Sequence, residues 1–173
     1  MRERTAVRDV VLRLRRPRLA ISILALAIMW GADVRTAASD SAAAGIWMTD
    51  DGDGAVEVRP CGNELCGYIY AILHLPNPSL PALDDRNQNA ELRSRPLCGM
   101  QVIGGLRAMS PGKWSGGWIY DPKVGKTYGL DLTFEDQHLS VHGYLQGTFL
   151  GRTVSWSRAA TPPSKCVAPQ PKR

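Results

Sequence analysis

Beyond residue 44 the chain alternates apolar and polar positions in short runs, and the period is two. In DQHLSVHGYL, Leu139, Val141 and Leu145 alternate with His138, Ser140, His142 and Tyr144, the pattern of a strand with one face against a core. The same reading, with β-rich runs, predicts strands near 45–49, 55–60, 67–73, 98–103, 113–120, 126–134, 138–145 and 152–158. Turn residues punctuate them. Asp50-Asp51-Gly52-Asp53-Gly54, Asp121-Pro122-Lys123-Val124-Gly125 and Glu135-Asp136-Gln137 each close a hairpin. No amphipathic helix of ten residues stands out, apart from a short candidate near Ala90–Met100. About eight antiparallel strands joined by hairpins predict an all-β fold, a small up-and-down barrel or a sandwich. One stretch breaks the rhythm: residues 74–96 hold four prolines and mixed charge. A connection this long is either a lid or contact loop, or a loose surface excursion.

Two neighbouring strands carry rings. Alternation through KWSGGWIYDP puts Trp114, Gly116, Trp118 and Tyr120 on one face, and KTYGLDLTF puts Tyr128, Leu130, Leu132 and Phe134 on one face. Read as core, this wall only fills the barrel. Read as a site, Trp114, Trp118, Tyr120 and Tyr128 line a pocket for a small amphipathic ligand, since indole and phenol bring polar handles to an apolar surface.

The N-terminus reads as an address. Residues 1–18 are arginine-rich, residues 19–30 are apolar but for Ser22 and residues 31–44 are small and weakly polar, the order of a secretory signal peptide. A twelve-residue helix rises about 18 Å, short of the roughly 30 Å that a stable span must cross. Residues 1–44 are therefore expected to be a signal peptide. Its cut falls after Ala38, Ala43 or Ala44, followed by a barrel at 45–160 and a tail at 161–173.

The net charge is +5, but eight arginines and only three acids lie in residues 1–38, leaving thirteen bases and thirteen acids beyond. The folding part is neutral, so the basic footprint of a nucleic-acid partner is missing. Four cysteines follow, Cys61, Cys66, Cys98 and Cys166. In an oxidising compartment an even set pairs. Three pairings are possible, and the short spacing of Cys61 and Cys66 favours a bridge across a tight turn, which leaves Cys98 with Cys166.

Several motifs tempt and fail. His138 and His142 follow a C-x4-C pair, yet on a strand they sit about 13 Å apart, too far to share a zinc ion. Asp85-x-Asn87-x-Asn89 begins like a calcium loop, but Ala90 and Pro96 stand where glycine and a bidentate glutamate belong. Gly125-Lys126-Thr127 opens a strand instead of a helix, and Ser110-x-x-Lys113 lacks its companion elements. No metal and no cofactor is expected. Nothing composes a nucleophile, a base and an orienting group, so no catalytic residue is assigned; an enzyme would have to draw acids from the 84–95 loop and Asp121.

The ordered set Gly45-x-Trp47, Cys61-Gly62-x-x-Leu65-Cys66-Gly67, Leu92-x-x-Arg95-Pro96-Leu97-x-Gly99, Trp114-x-Gly116-Gly117-x-Ile119-Tyr120-Asp121-Pro122, Gly125-Lys126-Thr127-Tyr128, Gly143-Tyr144 and Gly151-Arg152-Thr153 with Trp156-x-Arg158 resembles a family of small exported bacterial proteins catalogued as domain of unknown function 2147. The resemblance implies a periplasmic or secreted β-barrel and supplies no activity. One departure is Asn87-Gln88, where the family pattern has Asn-Pro. Separately, Gly-x-Trp on the first strand with an arginine on the last is similar to the lipocalin and calycin arrangement, which implies that the Trp47 ring closes one barrel end beneath Arg158. The sequence thus predicts a monomeric, exported, disulfide-stapled barrel without catalysis. It binds a small amphipathic ligand or a cell-envelope component, and the rival is a solid structural module.

Overall fold

The computed structural model describes residues 42–75, 80–148 and 150–167; the greater part of the expected signal peptide and the end of the tail lie outside them. Each run with period two has become a strand. In chain order they are β1 (Gly45–Met48), β2 (Gly54–Cys61), β3 (Glu64–Ile72), β4 (Gln101–Ser110), β5 (Lys113–Asp121), β6 (Lys126–Glu135), β7 (His138–Tyr144) and β8 (Gly151–Arg158). All neighbours pair antiparallel in sequence order, and β1 meets β8 through Trp47↔Arg158 and Met48↔Ser157. The sheet is thus a closed up-and-down barrel of eight strands, which removes every unpaired edge.

The elements differ from expectation where glycine or proline blurs the pattern. The strand expected at 98–103 begins at Gln101 and runs to Ser110, because Gly105, at φ 72°, breaks the alternation inside it. The helix expected near 90–100 is a single 3₁₀ turn, Ala90–Leu92, capped by the Asn89 side chain. Asp136 and Gln137 carry positive φ of 49° and 65°, the geometry of a two-residue hairpin turn.

Alternation assigns one face of each strand to the interior. The lower end of the barrel holds the β2–β3, β4–β5 and β6–β7 turns, and there Trp47, Leu65, Leu106, Trp114, Leu132, Leu139 and Trp156 form a buried cluster. The upper end holds the β1–β2 turn, the long β3–β4 connection, the β5–β6 turn and the β7–β8 loop.

The lower end is sealed. Trp47 donates its indole N–H to the Ala43 carbonyl at 2.8 Å, and Ala43 is fully buried. The Arg158 guanidinium lies 4.4 Å from the Trp47 ring centre and donates to the carbonyls of Ala44 (2.9 Å) and Ala42 (2.5 Å). Phe134 meets the same indole edge-on at 5.9 Å. Gly45 makes this possible, for a Cβ there would lie 2.3 Å from the Arg158 side chain.

Past β8 the chain becomes a belt. Ala159 N–H donates to Ile46 of β1, Lys165 reaches Glu57 of β2 at 3.9 Å, and Cys166 N–H donates to Tyr70 of β3. Cys166 is bridged to Cys98, and Cys61 to Cys66 across the β2–β3 turn.

Candidate functional site

The expected wall of Trp114, Trp118, Tyr120 and Tyr128 does not form as one face. Trp114 pairs with Leu132, and the next register pair along is Gly117 with Leu130. Three steps on β5 therefore match two on β6, a bulge that Gly116 permits at φ 73°. Asp131 fixes it by accepting from the Ser115 hydroxyl (2.5 Å) and the Gly116 N–H (3.2 Å). Beyond the bulge the parity reverses. Trp114 and Tyr128 keep the inner face, while Trp118 and Tyr120 turn outward. The adjacent Ser-Gly-Gly was the signal for this, since glycine inside a strand marks a bulge.

Both outward rings have structural work. Trp118 lies over Gly104, where a Cβ would come within 2.7 Å of the indole. Tyr120 is buried beneath the long connection. Its hydroxyl donates to Asp84 at 2.5 Å and accepts from the Asn87 amide at 2.9 Å. The second Asp84 oxygen accepts from Asn87 (2.7 Å) and from Arg95 (2.8 Å). Burial, then the hydrogen bond to Asp84 and its negative charge, push the Tyr120 phenol above its ordinary range. The described part of the 74–96 stretch is therefore a clamped contact loop, with Asp84 at 0% exposure. That anchoring occupies Asp84, one of the loop acids an enzyme would have drawn on. Among the described residues no three His, Cys, Asp or Glu side chains gather as a metal site.

The interior contains a different candidate at the upper end. Ile103, Leu130 and Val141 are buried there as a floor. Above them Ile119, Tyr128, Gly143 and Val154 are only half-buried, and register puts them on the same inner face. A Cβ on Gly143 would meet nothing nearer than Ile119 at 4.0 Å, so this wall is open. One step higher on that face stand Lys126, opposite Asp121, and Arg152. The result is a shallow apolar cup with a charged rim, built from two of the strands expected to carry the site but mostly from other residues. A cleft of about 400 Å³ at the opposite end, between the belt and β1–β2, is lined by Arg158 and residues 44–46 of the seal together with Glu57, Val58, Arg59 and Pro162.

An eight-stranded antiparallel barrel, sealed at one end by tryptophan and arginine and cupped at the other, is a lipocalin-like architecture. It is similar to the structure of protein HP1028 from the human pathogen Helicobacter pylori, described as belonging to the lipocalin family. The two share 22% identity with a TM-score of 0.60, over 68% of this chain and 83% of that one. The sequence pattern of the family described as "Uncharacterized protein conserved in bacteria (DUF2147)" matches residues 45–158, and the chain belongs to that family. No curated protein matches.

Proposed function

We propose that the chain is an exported binding protein, working in the periplasm or outside the cell. It takes a small amphipathic ligand of the cell envelope into the upper cup, as a monomer and without chemistry on it. One observation carries this reading: the inner face is buried at Trp47, Leu65, Leu106, Trp114, Leu132, Leu139 and Trp156 in the lower barrel, yet half-exposed and apolar at Ile119, Tyr128, Gly143 and Val154. Apolar walls with a few charges at the rim suit a molecule with an oily body and a polar end. The lipocalin-like fold and the two disulfides support it. Among the described residues no helix is long and apolar enough to cross a membrane.

Titration with an environment-sensitive apolar dye and with long-chain fatty acids tests the site. Saturable binding near micromolar Kd, about −8 kcal/mol, is expected. Gly143→Leu, whose Cβ would meet nothing nearer than Ile119 at 4.0 Å, should weaken it at least tenfold with the melting temperature unchanged. Equal binding by the variant would remove the cup from consideration. The buried cluster with Trp47, Trp114 and Trp156 favours a second reading, a structural module whose interior is already occupied. In that case no probe saturates the native protein.

A further inference from the structure

The strand order places two hairpins on opposite sides of the mouth. Between β2 and β5 stand β3 and β4; between β6 and β1 stand β7 and β8. The β1–β2 and β5–β6 turns therefore face each other across the barrel. Yet the Lys123 ammonium, in the β5–β6 turn, reaches Asp51 at 2.6 Å and Asp53 at 2.5 Å in the β1–β2 turn. We propose that this contact is a latch over the cup described above, and that solutes enter when the ion pair parts.

Each turn is stiff in itself. Asp51 accepts from the Thr49 hydroxyl (2.7 Å) and the Asp53 N–H (3.0 Å). Across the mouth, Lys123 N–H donates to Asp121 (2.8 Å), and Arg86 of the clamped loop donates to the Lys123 carbonyl (2.6 Å). What can move is the side-chain pair. Lys123, Asp51 and Asp53 are 54%, 45% and 42% exposed, so salt weakens their attraction. Two flanking contacts, Arg152 to Asp50 (3.5 Å) and His74 to Asp53 (3.2 Å), lie beside it. Burial would raise the Asp51 carboxyl, but the hydrogen bond from Lys123, with those from Asp53 and Thr49, brings it down to about 2. Hydrogen bonds to Asp51 and Asp53 outweigh burial at Lys123 and raise its ammonium above the ordinary lysine range. Both partners thus stay charged in neutral buffer.

The gating role rests on the cup as a site, so the test reports on access without a ligand. In Gly143→Cys the new thiol is the single free one, the four native cysteines being bridged, and its rate of labelling by a small neutral maleimide measures opening. Three forms are compared in low and high salt: Gly143→Cys alone, the same protein after water-soluble carbodiimide has joined Lys123 to Asp51 or Asp53 as an amide, and Gly143→Cys/Lys123→Met. Peptide mapping should find that amide. Labelling should slow at least tenfold in the joined form, quicken severalfold in the Lys123→Met form, and respond to salt only while Lys123 is free. Absence of the amide would overturn the contact, and equal rates in all three forms would overturn the gate. Gated labelling without dye binding would instead sink the binding proposal and leave the latch standing.

Discussion

Arg158 sits where three demands meet: a π face below it, two carbonyls beside it, and the last strand of the barrel behind it. A cation over a desolvated indole contributes about 0.5–2 kcal/mol, and hydrogen bonds from a charged donor about 1.5–3 kcal/mol. Arg158→Ala should therefore cost about 2–4 kcal/mol in urea unfolding, well above the roughly 0.5 kcal/mol of an ordinary surface change. This pair was legible because Gly-x-Trp and a terminal arginine resemble an arrangement with known geometry. Tyr120 was not, since its partners lie 33 and 36 positions away and leave no trace in local periodicity. Its raised phenol has a consequence at high pH. The folded state holds that proton more tightly than the unfolded chain, so the associated stability is full below about pH 10 and declines as pH climbs through the folded value. In a tyrosinate absorbance titration, Tyr120→Phe should delete part of the latest phase and flatten the alkaline loss of stability.

Among the elements, hydrophobic alternation located seven of the eight strands and only the first three residues of β4, because a half-buried sheet imposes period two wherever the backbone is regular. It misplaced side chains only where the backbone departs from regularity. One extra residue at Ser115–Gly116 reverses two rings, and the apolar cup emerges from register, which no single strand reveals. The two tryptophans of β5 now part company. Trp114→Ala, emptying the interior, should cost about 3–5 kcal/mol. Trp118→Ala uncovers Gly104 and Gly105 and loses part of its packing against the core. It should cost about 1–2 kcal/mol, the middle of the range for single substitutions, and leave dye binding intact. Paired denaturation and dye titrations decide this, and a loss of binding in Trp118→Ala with Trp114→Ala unaffected would reverse the assignment of faces.

Across the whole molecule the weakest seam is where the barrel closes, for β1 and β8 share two register pairs while β7 and β8 share seven. The belt crosses the outside of that seam and is fastened covalently at Cys98. Removing a crosslink that closes 68 positions costs about 4 kcal/mol by chain entropy. Cys166→Ser should show that loss, with amide exchange rising first in β1 and β8. The two bridges also share a simple order along the chain: first cysteine to second, third to fourth. An oxidant that joins each thiol to its neighbour in chain order makes this pattern directly. No reshuffling is then needed, and a reduced chain given oxidant alone should regain both native pairs without passing through an isomerisation phase.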